Sequence, residues 1–393
     1  MIENSLFSRT LQTVETKRER LLNGKINAIP WGLPRFENIC PGIEQGKYIQ
    51  ITAQSKGGKT QITDWLFLYN TIRQIIDNNL DIRLKIFYFT LELSKEEKML
   101  SCFANILYVK EGIRISPTDL KSTHSQKVLS QDVVDVIKKY QPYFDKIEEI
   151  VEFIDDVRHP QGIYNMVRDY ALANGKLHMR TIEIVDKNTG EISKMEVEDY
   201  YEPNDPEEYV MILIDHIGLI STQKMNGKDL TLHESISLLS SNYLIKLRNR
   251  FNYIPVVVVQ QAIAGENIEH RKAGALKPSV ANLGDNKLIA RDCNLMLGVF
   301  SPFKYEMPEY MGYDITKFKD NIRFMEIILS RDGGAGTICP LYFDGAVNYF
   351  KELPRPNEKE AINSVYKFIE KINSNIEYKT IVKKVLSNEH FCF

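Results

Sequence analysis

The octapeptide Ala53-Gln54-Ser55-Lys56-Gly57-Gly58-Lys59-Thr60 carries the most specific chemistry in this chain. Its small residues let successive backbone N–H groups turn inward around a phosphate. A helix starting directly after them adds its positive end to the same anion. Lys59 would then reach the β and γ phosphates of a nucleotide, and the Thr60 hydroxyl would ligate Mg²⁺. That is a P-loop, with Ala53 standing where its first glycine is usual. The bland alternative is a glycine-rich turn with an exposed lysine. The apolar run before the octapeptide and the helical pattern after it weigh against that.

A nucleotide held this way needs an acid on a neighbouring strand. Asp215 closes the apolar run 210–214 in the Walker B manner, although an acid there also suits a helix cap or turn. Glu92, in YFTLEL, stands at the C-terminal edge of a strand, where α/β proteins bind ligands. It would orient or deprotonate an attacking water, or else is a surface acid in a loop. Gln260 and Gln261 end VVVVQQ, where an amide either senses the γ-phosphate or satisfies a loop. Arg331 leaves a strand into the glycine-rich DGGAGT. It is either an anion-binding finger for a nucleotide on an adjacent subunit or a solvated turn cation.

The elements that must position these residues alternate. KYIQITA (47–53), KIFYFTL (85–91), IVEFID (150–155), YVMILID (209–215) and IPVVVVQQ (254–261) read as strands, several apolar on both faces. Between them, 60–77, 95–109, 160–174 and 232–250 have helical periodicity. Helical crossovers of that length imply an α/β fold with a mainly parallel central sheet and helices on both faces. NLMLGVF (294–300), FMEIILSR (324–331) and TICPLYFD (337–344) follow at shorter spacing and predict antiparallel edge strands. Residues 176–208 predict an inserted β-hairpin: TIEIV, the turn DKNTGE, the return ISKMEV, then an acidic, loop-like DYYEPNDPEE. Residues 4–23 form a helix stopped by Gly24, whose apolar side needs something to pack on. The expected organisation is a helix within 1–27, a body over 28–353 and a helical tail over 354–393.

Composition narrows the function. With 50 Lys+Arg against 52 Asp+Glu and 43% apolar residues, the 393-residue chain is no disordered polymer. A net charge of −2 gives no bulk attraction for nucleic acid, so any DNA contact must come from a local basic surface. No apolar run reaches the roughly 18 residues of a membrane span. The opening MIENSLFSRTLQ lacks a secretory pattern, so a cytoplasmic location is expected, in the host cytoplasm if phage encoded. Cys40, Cys102, Cys293, Cys339 and Cys392 are scattered without a CxxC pair, so neither a disulfide framework nor a zinc site is expected.

Taken in order and approximate spacing, IPWGLPRFENICPGIEQGKY, SKGGKT, FYFTLELSKEE, LIDHIGLIS, IPVVVVQQ and ILSRDGGAGT resemble the ATPase domain of DnaB-like replicative helicases, a RecA-type P-loop family. The likeness covers about residues 29–350. It implies ATP and Mg²⁺ as cofactors, Glu92 as the catalytic glutamate, Asp215 as the Walker B aspartate and Gln261 as the polar sensor. It makes Arg331 the finger that completes a neighbour's site, and the helix at 4–23 the linker that docks on the adjacent protomer. ATP then lies between subunits of a ring, usually a hexamer.

The chain departs from the family pattern at several points. Leu329 stands where a lysine is frequent, and His216 replaces an aromatic residue. The N-terminal collar domain that engages primase in cellular relatives is absent, which points to a phage or mobile-element protein. The DNA-loop motif reads Leu283-Gly284-Asp285-Asn286-Lys287, without its arginine. Lys287, Arg271, Lys272 and Lys277 are the candidates to replace it. Loops 221–231 and 262–287 would line the channel and hold a single strand, or are ordinary surface loops. The expected function is an ATP-dependent helicase that moves on single-stranded DNA and unwinds duplex during replication, with a primase or a loader as further partner. A RecA-type recombinase, a KaiC-like signalling ATPase and a nucleotide-gated scaffold are the alternatives. Lys59, Thr60, Glu92 and Asp215 argue against a scaffold without turnover.

Overall fold

A computed structural model describes residues 5–78, 80, 82–123, 128–185, 192–225, 227–262 and 276–373. The strands in chain order are β1 (Ile49–Ala53), β2 (Arg83–Thr90), β3 (Val151–Ile154), the hairpin β4 (Gly175–Val185) and β5 (Ile192–Pro203), and β6 (Glu208–Asp215). They continue with β7 (Ile254–Gln260), β8 (Leu295–Phe300), β9 (Ile322–Ser330), β10 (Ile338–Asp344) and β11 (Tyr349–Glu352). All except the hairpin form one nine-stranded sheet in the order β11-β10-β9-β8-β1-β7-β6-β2-β3. From β3 to β8 every neighbouring pair is parallel, and β8 to β11 is antiparallel.

Two expectations about strands are corrected. Residues 294–300 do not belong to the antiparallel edge, because β8 runs parallel to β1 with Ile49 opposite Leu295. The long connection after β7 is enough for a crossover that restores strand direction. The edge is completed instead by β11, whose four residues are too few to leave a pattern in the sequence. The acidic segment after the hairpin is not a loop: β5 continues to Pro203, with Tyr201 opposite Leu177 and its hydroxyl donating to the Ala171 carbonyl at 2.7 Å. The turn between the hairpin strands lies outside the described residues.

The main helices are α1 (Leu6–Leu22), α2, α3 (Lys95–Glu111), α4 (Gln131–Lys139), α5 (Gln141–Ile150), α6 (Pro160–Ala173), α7 and α8 (Lys359–Asn373). Helix α2 joins Lys59–Thr63, a π-turn stretch Asp64–Tyr69, and Asn70–Ile76. Helix α7 is built alike, from Leu232–Leu238, a π-turn stretch Leu239–Leu244, and Ile245–Phe251. Among the described residues no helix is long and apolar enough to cross a membrane.

Period-two alternation divides the sheet into two faces. Ile49 and Ile51 of β1, Ile86 and Tyr88 of β2, and Met211 and Leu213 of β6 share one apolar cluster with α2, α3 and α5. Phe87 and Phe89, Ile212 and Ile214, and Val257 and Val259 face the other way, onto α6 and α7. A third cluster joins the antiparallel edge to α8 through Phe318, Phe324, Tyr342, Ile362, Val365 and Ile369, so the described part of the C-terminal stretch adds to the body's core.

Candidate active site

The P-loop forms where β1 hands over to α2. Ala53 is the last β1 residue, Ser55 and Lys56 are exposed, and Gly57, Gly58 and Lys59 are buried. Gly57 and Gly58 are required by geometry. A Cβ on Gly57 would stand 2.9 Å from the Gln54 carbonyl, and Gly58 has φ +97°, which side-chain-bearing residues rarely adopt. The loop is buttressed from outside. Gln54 donates to the Leu276 carbonyl, Lys304 Nζ donates to the Ser55 carbonyl at 2.9 Å, and buried Arg323 donates from Nε to the Gly57 carbonyl at 3.2 Å. With its carbonyls engaged behind, the loop leaves its N–H groups to an anion in front.

Parallel pairing brings the acids to the same end of the sheet. Asp215 stands opposite Thr90 across the β2–β6 pair, one strand (β7) away from β1. Its side chain is buried, and Thr60 Oγ1 donates to Asp215 Oδ1 at 3.2 Å. Glu92 follows β2 by two residues and is exposed. The Leu91 N–H donates to the Asp215 carbonyl at 2.9 Å, which straps the Glu92 turn to the end of β6. Arg158 adds a second strap, donating to the Leu91 carbonyl at 2.7 Å. His216 is kept largely neutral: burial, then the nearby Lys59 ammonium, lowers its pKa against the opposing pull of Asp215 and Glu92.

Gln261 is engaged within the fold. Its amide donates to Thr52 Oγ1 at 2.7 Å and its carbonyl oxygen accepts the Ser279 N–H at 3.4 Å. Arg331 stands apart from the other site residues. Because β9 runs antiparallel to β8, Ser330 pairs with Leu295 at the start of β8, beside the start of β1. The length of β1, about 13 Å at ~3.3 Å per residue, therefore separates Arg331 from its own P-loop. Arg331 is exposed there and donates to two backbone carbonyls, Cys293 at 3.1 Å and Arg291 at 2.6 Å. Of the expected DNA contacts, Lys287 is exposed and Lys277 is paired with Glu326 at 3.0 Å. Arg271 and Lys272 lie outside the described residues.

Several residues of the site escaped sequence reasoning. Directly behind Asp215 lies a buried polar group: Asp64 at the start of the π-turn stretch, Tyr88 on β2 and Lys98 on α3. Lys98 Nζ lies 3.0 and 3.1 Å from the two Asp64 oxygens, 2.7 Å from the Tyr88 hydroxyl and 3.5 Å from Asp215 Oδ2. Tyr88 donates to Asp64 Oδ1 at 2.5 Å, and Asn348 donates to Asp64 Oδ2 at 3.4 Å. The signal was legible: Lys98 shares a helical stripe with buried Cys102 and Ile106, where a lysine is out of place without a buried acid.

A mainly parallel sheet, helices on both faces, a P-loop after the central strand and an acid at the end of a nearby strand define a RecA-like P-loop ATPase fold. Solved structures agree. The chain is similar to the ATPase domain of a DnaB-like helicase (TM-score 0.62, 16% identity, 89% of this chain and 99% of that one). It is also similar to a DnaB-like replicative helicase studied with its interactions with primase (TM-score 0.60, 17% identity, 90% of this chain and 69% of that one). Neither the family models nor the curated protein sequences give a match to this chain. The likeness to DnaB-like ATPase domains therefore rests on the fold.

Proposed function

We propose that this chain is an ATP-dependent DNA helicase that works as a ring, usually of six copies, translocating on single-stranded DNA and unwinding duplex during replication. The observation that carries the proposal is the separation of Lys59 and Arg331 to opposite ends of one sheet. A guanidinium reaches far less than the length of β1, so Arg331 serves only a nucleotide bound by another copy. Such a head-to-tail contact closes into a ring when its rotation permits.

Thr60 and Asp215 offer a hydroxyl and a carboxylate, hard oxygen donors suited to Mg²⁺, which when bound neutralises charge on the phosphates. The P-loop N–H groups and Lys59 hold the β and γ phosphates in place. Glu92 takes a proton from the attacking water, and the neighbour's Arg331 stabilises the charge that spreads over the transferred phosphoryl oxygens. Helix α1 suits the linker role. Arg20 pairs with Glu207 at 2.6 Å and Arg9 covers the Tyr200 ring, while Leu6, Phe7, Val14, Leu21 and Leu22 face outward. A primase or a loader is the further partner proposed, and Lys287, Lys277, Arg271 and Lys272 are the proposed DNA contacts.

The test is ATP hydrolysis with and without single-stranded DNA, a forked-duplex unwinding assay, and mass measurement with a non-hydrolysable nucleotide. A ring, DNA-stimulated turnover and unwinding are expected. Turnover indifferent to DNA with no unwinding, or a single copy under every condition, removes the reading.

A further inference from the structure

The buried group behind Asp215 combines three ionisable side chains and a phenol where the surroundings are apolar. Asp64, Lys98 and Asp215 are each 1–2% exposed and Tyr88 is fully buried. Stability does not account for such a cluster, because uncharged residues of similar volume commonly hold a core as well or better. Its geometry offers another account. The two carboxylate oxygens of Asp215 face different partners: Oδ1 meets the Thr60 hydroxyl at 3.2 Å, and Oδ2 meets Lys98 Nζ at 3.5 Å and the Tyr88 hydroxyl at 3.4 Å. Lys98 sits closer to both oxygens of Asp64 than to Asp215. Its charge is thus spent mainly on Asp64, and Asp215 is oriented while keeping most of its own charge. The ammonium itself is secure: burial opposes it, but Asp64 and Asp215 outweigh burial and raise its pKa above the usual lysine range.

The cluster also ties three moving parts. Asp64 lies on the helix that follows the P-loop, Asp215 ends β6, and Lys98 sits on the first turns of α3, six residues after Glu92. Ser94 caps that helix, accepting the Glu97 N–H at 3.2 Å, so the step from Glu92 to Lys98 is short and ordered. The Glu92 turn is consequently fixed to Asp215 at two points, through the Leu91 N–H and through Lys98.

We infer that Lys98, counterbalanced by Asp64 and bridged by Tyr88, is a positioning residue that aims the Asp215 carboxylate at the metal of the nucleotide site and holds it in register with Glu92. The inference rests on the P-loop reading above and adds to it a dependence on residues that touch neither nucleotide nor metal.

The test uses the full chain with a fluorescent ATP analogue, measuring equilibrium affinity in EDTA and in Mg²⁺, beside the Mg²⁺ concentration that half-saturates hydrolysis. Asp64→Asn/Lys98→Met keeps the volume and removes both charges. It should bind nucleotide in EDTA as the parent does, but lose about 10- to 100-fold in the Mg²⁺-dependent gain, the range found when an outer partner of a metal ligand is removed. Asp64→Asn alone hands the charge of Lys98 to Asp215 and should raise the Mg²⁺ requirement further than the double variant. Tyr88→Phe, which disturbs packing least, should raise it by a smaller factor. Parent-like Mg²⁺ dependence in Asp64→Asn and Tyr88→Phe overturns the inference, whatever the double variant does to folding. Nucleotide binding that ignores both Mg²⁺ and Lys59→Ala overturns the nucleotide-site reading itself, and that result is distinguishable because it appears in the parent protein.

Discussion

The two ends of the central sheet treat their charges in opposite ways. At the P-loop end, Thr60, Asp215, Lys98, Asp64 and Tyr88 are partly or fully buried and answer one another with hydrogen bonds between 2.5 and 3.5 Å. At the other end, Arg331 is exposed and held by two carbonyls. Among the described residues no carboxylate pairs with it, and the adjacent Asp332 goes to Lys47 at 2.6 Å. Carbonyls orient a guanidinium without neutralising it. One end is a site assembled within the chain; the other holds a cation ready for an anion the chain itself does not supply.

The strongest way to break this contrast is to remove Arg331. If it completes a neighbour's site, Arg331→Ala should lower turnover by about 10³- to 10⁵-fold while nucleotide affinity stays near the parent's. Mixing Arg331→Ala chains with Lys59→Ala chains should restore part of the activity, because some seams of a mixed ring then carry both an intact loop and an intact finger. No recovery in a mixture shown to co-assemble would count against the shared site. Next in size is Glu92→Gln, expected to cost about 10²- to 10⁴-fold in turnover with nucleotide binding retained, as loss of a general base does. Equal losses in binding and turnover would mean that Glu92 acts on the loop's structure.

Much of this contrast was legible in the sequence, for definable reasons. Strands buried on both faces leave continuous apolar runs, so β1, β2, β6 and β7 and the octapeptide between β1 and α2 stood out, as did Asp215 at the end of such a run. The position of Arg331 needed more than pattern. Only the antiparallel pairing of β9 with β8 carries it away from the P-loop, and that register is a tertiary fact. The Asp64–Lys98 pair was missed because its members are 34 residues apart, a separation that no local period relates. Residues 199–203 read as a loop because they are acidic, yet β4 pairing and the α6 contact of Tyr201 make them strand.

The buried end gives a prediction in stability. Lys98→Met alone leaves Asp64 buried beside Asp215 without a cation, and should cost about 3–5 kcal/mol, measured by denaturant unfolding. Adding Asp64→Asn should return most of that loss, since the uncompensated charge goes with it. Additive losses would show that packing, and not charge balance, holds the cluster.

The smallest expected effect lies on the surface, at Lys277. Its partner is Glu326, with the two side chains 49% and 19% exposed, and such a pair contributes about 0–1 kcal/mol to stability. Lys277→Ala should therefore leave unfolding nearly unchanged. If Lys277 also meets a DNA phosphate, the same variant should weaken single-strand binding evenly across sequences and reduce the slope of log affinity against log salt by about 1. Glu326→Gln supplies the opposite arm, because a lysine released from its carboxylate has more charge to give and should bind the strand more tightly at low salt. Fluorescence anisotropy over a salt series reads both. Two variants with parent-like slopes would assign Lys277 to the body's own electrostatics and leave DNA contact to Lys287 and the loop preceding it.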